Sequence, residues 1–438
     1  MIALSYLLLI LVLVLIIGGI CYIFLSNSEQ NLESTIEMNV NIINTSEPFE
    51  FNIDGENVVV EWGDENTMSL KEVSKNLSKN LKDSKSLNSH IYSEPGEYTV
   101  KVKTIKSSSS FTFFEANAVD KINKIIKMNI NSTSITTFRV PGNDINNLEV
   151  SNLKSLVELD VSKNKLALLD LSKLRALQNL NASENQLTTL NLTNNTNLGT
   201  LKVANNQIAN FDFQANPNLL DFDLTGNPIE ILKLNILQEE AVKIIKLNNA
   251  NLNSFDTQNL KNIESLSLND NNISTFEVKN FDTLNNLEIA SNRLTNLLNP
   301  RKNMATVLNV KSNQLTSIDL TNWTNLRELI VRDNLLTTLD LTPAASQIEE
   351  IDASVNQISS LNLTDCNSIK FLSLTNNNLD QTSIDNILVK IRNNNLLSPD
   401  DDTLRYSLLL TGNVAPSATG LFAKTYLIAV LKWNVETD

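Results

Sequence analysis

Leu156-Val157-Glu158-Leu159-Asp160-Val161-Ser162-Lys163-Asn164-Lys165-Leu166 is the stretch on which the reading of this chain turns. Leu159 and Val161 are spaced as the inward residues of a short strand, so Glu158, Asp160 and Ser162 face outward. Asn164 turns the chain, and its amide can pair backbone groups that a buried turn would otherwise strand. The unit recurs from Ile135 to Leu379, a span of 245 residues. Its Asn returns at Asn143, Asn164, Asn185, Asn206, Asn227, Asn271, Asn292, Asn313, Asn334, Asn356 and Asn377. The steps are 21 residues, except 44 from Asn227 to Asn271 and 22 from Asn334 to Asn356. The long step holds a further copy, Val242–Leu247, with Ala250 in the Asn position, which makes twelve copies. One coil cannot bury its apolar side, but stacked coils bury a continuous core. A second apolar run in each coil, as in Leu187-Thr188-Thr189-Leu190-Asn191-Leu192, supplies the other wall. Coils this short leave little room for α-helix, so strands, turns and short 3₁₀ segments are expected, with an irregularity near 228–250.

This unit is the leucine-rich-repeat pattern, and the chain resembles internalin-like bacterial repeats and the repeat proteins of Bacteroidetes and their phages. The resemblance implies a mainly β solenoid over residues 135–380. Around it we expect a transmembrane helix and a small β-sandwich on the N-terminal side, and an α/β cap after it.

Ile2 to Leu25 are 24 consecutive positions without a charged side chain. As a helix they reach roughly 36 Å, enough to cross a hydrocarbon core of about 30 Å. No Lys or Arg precedes Lys71, and Ser26-Asn27-Ser28 makes a poor cleavage site, which favours a retained anchor over residues 1–28. The acidic flank of Glu29, Glu33, Glu37, Glu47 and Glu50 fits an N-terminus inside and the bulk outside, in a cell envelope or a virion membrane.

Residues 36–115 read as strands. Val58–Asp64 ends in Trp62-Gly63-Asp64, and His90-Ile91-Tyr92-Ser93-Glu94-Pro95-Gly96 turns into alternating apolar residues through Val102. The two motifs resemble the PKD-type β-sandwich, with Glu65 standing where that family has Gly, so a different turn is expected there. Leu70, Val73, Leu77 and Leu81 recur at helical spacing among lysines and suggest an inserted amphipathic helix over 70–87. His90, the single histidine, is read as a packing and hydrogen-bonding residue.

An open solenoid needs its last coil covered, and residues 381–438 suit that role. Ile384, Ile387, Leu388 and Ile391 share one helical face, Tyr406–Leu410 reads as a strand, Ala415-Pro416-Ser417 starts a helix, and Trp433-Asn434-Val435 ends the chain as a strand. The segment resembles the C-terminal caps of Bacteroidetes and phage repeat proteins, with Lys432 where those have Gly.

With a net charge of −14, the chain repels nucleic acid. Cys21 lies in the apolar run and Cys366 stands alone, so no disulfide framework forms in the soluble part. There is no phosphate loop, Cys/His metal spacing or nucleophile elbow, and Asp400-Asp401-Asp402 lacks the alternation of a calcium loop. We therefore expect no enzyme and no cofactor or metal. The expected function is a membrane-anchored surface protein presenting its repeats to a protein or cell-surface ligand. The alternative is a virion structural or receptor-binding protein of a membrane-containing bacteriophage. The oligomeric state is left open. Outward positions are mostly polar, but Ile330, Val355 and Phe371 fall on three successive coils with Arg332, Glu328, Glu350 and Asp352 around them. Together they could form one apolar patch with a charged rim, the form of a partner-binding hot spot at Ile330, Arg332, Val355 and Phe371. The alternative is singly exposed apolar residues of an ordinary surface.

Overall fold

The computed structural model of the chain describes residues 34–54, 58–70, 88–104, 112–233, 242–256, 260–278, 283–299, 301–302, 304–394 and 406–438. The expected anchor, the helix expected after Leu70, Asp400–Asp402 and part of 228–250 lie outside them. Among the described residues no helix is long and apolar enough to cross a membrane. The chain divides into two compact units, Met1–Asn195 and Thr196–Asp438.

The first unit opens with strand β1 (Thr35–Ile42), in which alternation buries Ile36, Met38, Val40 and Ile42. Then follow β2 (Phe49–Ile53), β3 (Val58–Glu61), β4 (Thr67–Leu70), β5 (Asn88–His90), β6 (Gly96–Thr104), β7 (Phe113–Glu115) and β8 (Lys124–Asn131). An antiparallel sheet of order β4-β3-β6-β1-β8 forms, so its outer strand β8 lies past residue 115, the expected end of the β region. Strand β2 pairs antiparallel with β5 and β7 instead. Strand β7 in turn pairs in parallel with β9 (Thr137–Arg139), and β9 with β10 (Glu158–Asp160) and β11 (Asn179–Asn181) in succession. Strand β7 is thus the first rung of the repeat ladder as well as part of the β region. The two cores merge through Trp62, Phe51, Phe114 and Phe138, whose successive ring centroids are 5.6, 5.7 and 5.4 Å apart.

The Trp62-Gly63-Asp64 and His90-Ile91-Tyr92 motifs meet in this unit. His90 Nε2 contacts Asp64 Oδ2 at 2.7 Å, its ring stacks on Trp62, and Tyr92 Oη donates to the Trp62 carbonyl at 2.8 Å. Burial, with the nearby Asp64 and Tyr98, raises the pKa of Tyr92, so it stays a neutral donor. Glu65 takes φ +70°, the left-handed conformation that glycine favours, so the backbone absorbs this departure from the motif.

The second unit stacks three-residue strands in parallel: Thr200–Lys202, Asp221–Asp223, Ile244–Lys246, Ser265–Ser267, Asn286–Glu288, Val307–Asn309, Glu328–Ile330, Glu350–Asp352 and Phe371–Ser373. The middle residue of each is buried and the outer two face away. On the other wall Asn210–Asp212 pairs with Ile231–Lys233, Thr275–Glu277 pairs with Asn296–Leu298, and Thr342–Ala344 makes one 3₁₀ turn.

All eleven repeat asparagines are buried, and each donates its amide to a carbonyl of its own turn. Asn292 shows the full pattern. Its Nδ2 donates to the Ile289 and Ala290 carbonyls at 3.3 and 3.0 Å and to Leu268 of the preceding coil at 2.9 Å, while Oδ1 accepts from Ile273 N at 3.0 Å. The side chain therefore closes its own turn and bolts it to the coil before. Where Ala250 replaces Asn, the corresponding Ile229 N–H is met by the Ala250 carbonyl at 3.2 Å. The strands on either side stay in register, so the expected irregularity does not reach the ladder.

The C-terminal segment does more than cover the last coil, because it adds two rungs to the ladder. Ser407–Leu409 pairs in parallel with Phe371–Ser373, and Asn434–Glu436 pairs with Ser407–Leu409. Between the rungs lie helices α1 (Gln381–Asn393), capped by Asp380 on Ser383 N, and α2 (Ala418–Ala429), capped by Ser417 on Thr419 N. Helix α1 buries Ile384, Ile387, Leu388 and Ile391, the face read from the sequence. Lys432, which stands in a glycine position of the resembling caps, takes φ +59°.

Candidate binding face

The outward residues of the second unit's ladder form two rows in exact strand register. One row runs Asn286, Val307, Glu328, Glu350, Phe371, Ser407, and the other runs Glu288, Asn309, Ile330, Asp352, Ser373, Leu409. The earlier part is a closed polar network. Glu288 accepts from Asn269 Nδ2 at 2.9 Å, Asn286 Nδ2 at 3.0 Å and Ser267 Oγ at 3.3 Å. Further on the face becomes more apolar, with Val307, Ile330, Phe371 and Leu409 all half-buried.

The register corrects one expectation. Ile330 stands opposite Asp352, and Phe371 stands opposite Glu350. The two acids lie on the strand between the apolar residues, so Ile330 and Phe371 are separate footholds and not one patch. The pairing follows the repeat period: Glu328, Glu350 and Phe371 are equivalent positions of successive repeats, as are Ile330, Asp352 and Ser373, so Ile330 and Phe371 stand on different rows. On one row the adjacent acids Glu328 and Glu350 separate Val307 from Phe371, and on the other Asp352 and Ser373 separate Ile330 from Leu409.

The acids differ in their surroundings. Asp352 Oδ1 accepts from Ser354 N at 3.1 Å, and its Oδ2 lies 4.0 Å from the exposed Arg332. Glu349 is clamped between Arg327 at 3.4 Å and Lys370 at 2.5 Å. Glu328 has Glu350 and Glu288 near it, and burial together with these two carboxylates raises its pKa above the ordinary glutamate range.

Val355 lies on neither row but in the turn that follows. The equivalent position has positive φ in every described coil of the unit: Asn205, Gly226, Asn249, Asp270, Ser291, Ser312, Asp333, Val355 and Asn376. The conformation lets the backbone N–H reach the next coil, as Val355 N does at 2.8 Å to Thr375 O. Most of these residues, including Asp333 and Asn376 on either side of Val355, are Asn, Asp or Gly, types that enter the left-handed region at low cost. Val355, at φ +56°, is β-branched and half-buried.

Two participants escaped the sequence reading. Asn413 is a further rung of the asparagine ladder, donating to Leu374 O and Leu410 O at 2.9 Å and accepting from Leu379 N at 3.1 Å. Leu408-Leu409-Leu410-Thr411-Gly412-Asn413 matches Phe222-Asp223-Leu224-Thr225-Gly226-Asn227 and was the available signal. Leu409, on the same strand, extends the outward row. Among the described residues no group of three or more His, Cys, Asp or Glu could hold a metal ion.

Parallel one-residue-buried rungs, an asparagine ladder and a coil of about 21 residues define a leucine-rich-repeat solenoid. No family model matches the chain, and no curated protein matches it in sequence. Among solved structures it is similar to an internalin from Listeria monocytogenes, at 22% identity and a TM-score of 0.51 over 70% of this chain and 82% of that one. It is also similar to a leucine-rich-repeat protein from Bacteroides eggerthii, at 16% identity and a TM-score of 0.53 over 70% of this chain and 57% of that one. Both likenesses support the repeat fold.

Proposed function

We propose that this chain is a non-enzymatic recognition protein that holds a protein ligand against the outward ladder face near Ile330, Arg332, Val355 and Phe371. The observation that carries this reading is Val355. A β-branched residue in a left-handed turn costs about 1–3 kcal/mol, where neighbouring coils use residues that avoid the cost. An apolar side chain is thereby presented on a half-exposed surface, where it adds little to the core. Strain retained at a surface position is the signature of a contact made with something else. Glu328, half-buried beside the carboxylates of Glu350 and Glu288, favours a ligand that brings a cation between the apolar footholds. The apolar run of residues 2–25 acts as a membrane anchor, with the PKD-like sheet as a stalk and the array outside.

The test uses the full chain in detergent as bait against envelope proteins of host or neighbouring cells. A protein captured by the native chain is expected to be lost by an Ile330→Ser/Val355→Asn/Phe371→Ser variant that melts no lower. Capture at full strength by that variant overturns the reading.

A further inference from the structure

A surface helix normally turns a polar side to water. Helix α2 does not. It buries Gly420, Ala423 and Leu427 against its own unit, yet its outer arc is Ala418, Thr419, Leu421, Phe422, Thr425, Tyr426, Ile428 and Ala429, without a charged side chain. Phe422 is 66% exposed and Leu421 49%. On a chain with a net charge of −14, an uncharged helix face is a place where a second copy can approach without burying like charges.

We infer that this face is a self-association surface: two copies of the chain pair their α2 helices, antiparallel, about a two-fold axis at Thr425. The sequence of the arc is self-complementary about that point. A two-fold contact matches each residue before the centre with one equally far after it. Leu421 then meets Ala429 of the second copy, large against small, and Phe422 meets Ile428. Small residues at Thr425 and Ala429 let the helices approach to about 8 Å, the close end of helix packing. The polar atom at the centre is already satisfied, because Thr425 Oγ1 donates to the Leu421 carbonyl at 2.8 Å. Burying it leaves no orphaned donor. Lys424, at the margin, is held by Thr437 Oγ1 at 2.8 Å, and Arg392 lies 5.7 Å from the Phe422 ring centroid, at the rim. The arc offers on the order of 400–500 Å² per copy, or about 800–1,000 Å² per pair, the lower end for a specific interface. An interface of that size belongs with weak, transient associations.

The full chain is sedimented in mild detergent and cross-linked through engineered cysteines in a Cys21→Ser background, native Cys366 being 1% exposed. The native chain is expected to dimerise, and Leu421→Glu/Phe422→Glu to be monomeric with an unchanged melt. At the close approach of the axis, Thr425→Cys is within disulfide range of its mate. It is expected to form a covalent dimer about tenfold faster than the exposed control Thr193→Cys. A chain that stays monomeric at about 100 µM, or equal cross-linking at the two positions, overturns the inference. So does a Phe422→p-benzoylphenylalanine variant that yields adducts with lipid or a foreign protein and none of two chains.

Discussion

His90 and Asp64 are 26 positions apart in sequence, and His90 Nε2 lies 2.7 Å from Asp64 Oδ2. The contact joins the two motifs of the N-terminal sheet, with the imidazole lying between the Trp62 ring and the edge of Tyr92 at 5.0 and 4.6 Å. A lone histidine is spent here on holding two loops together. Burial of Asp64 works against its ionisation, but hydrogen bonds from His90 and Asn66 outweigh it and hold the pKa below the usual aspartate value of 3.8. A carboxylate whose folded pKa is depressed contributes stability above its unfolded pKa, and that stability is lost as pH falls through the folded value. Asp64→Asn is therefore expected to lower the melting temperature of the first unit at pH 7. The difference from the native chain should shrink steadily below about pH 4. Melts that remain equally far apart down to pH 2 would show that the carboxylate charge is immaterial.

The asparagine ladder yields a second prediction. Asn292→Ala removes three donated bonds and one accepted bond, all in buried surroundings. The Ile273 N–H and the Leu268 carbonyl would lose their partner in the next coil. A loss of about 1–3 kcal/mol is expected, read as a lower denaturant midpoint with an unchanged slope. Asn413→Ala should cost a comparable amount, since Asn413 makes the same kinds of bond. An Asn413→Ala midpoint equal to that of the native chain would remove Asn413 from the ladder.

The ladder was legible in the sequence because its geometry is periodic. Each asparagine repeats the backbone contacts of the one before, so spacing alone locates Asn143 to Asn377. Asn413 was hidden because α1 lengthens the interval from Asn377 and breaks the period, although its local motif is intact. The joint between the β region and the repeats was hidden for a different reason. Phe113–Glu115 resembles any short strand, and only its parallel pairing with Thr137–Arg139 makes it a rung. The arrangement of the binding face was legible by the same rule, because the strands pair one repeat apart: Ile330 aligns with Asp352 and Phe371 with Glu350. Grouping Ile330, Val355 and Phe371 by nearness in coil number overlooks that they occupy different positions of the unit.

Glu328 carries a prediction of the opposite sign to Asp64. Burial, then Glu350 and Glu288, raise its pKa from 4.5, so the folded chain holds this proton more tightly than the unfolded chain. Such a group adds stability at acid pH and opposes folding once it ionises. Glu328→Gln removes the ionisation and is expected to raise the denaturation midpoint at pH 7. The gain should disappear as pH falls to 4 and below, where the native glutamate is itself protonated. A midpoint lowered at pH 7 would mean that the Glu328 charge is favourably paired.

Val355 separates stability from binding within one residue. Its φ of +56° is shared with Asn376 and Asp333, the equivalent residues of the coils on either side, so the backbone there already accommodates Asn and Asp. The Val355 N–H bond to Thr375 O and its carbonyl bond from Asn334 N, at 2.8 and 3.2 Å, belong to the backbone and survive a change of side chain. Val355→Asn thus relieves a β-branched side chain in the left-handed region without removing a ladder bond, and should stabilise the chain by about 1 kcal/mol. Val355→Ala, which is not β-branched but still carries a Cβ, should gain less. Thermal or denaturant unfolding of the three proteins gives the order, with Asn the most stable, then Ala, then native Val. If the contact with a ligand is what retains the valine, the same order runs backwards in affinity: the native chain binds most tightly and Val355→Asn least. A native chain more stable than both variants would show that Val355 packs favourably within its own coil, and would remove the strain on which the placement of the binding face rests.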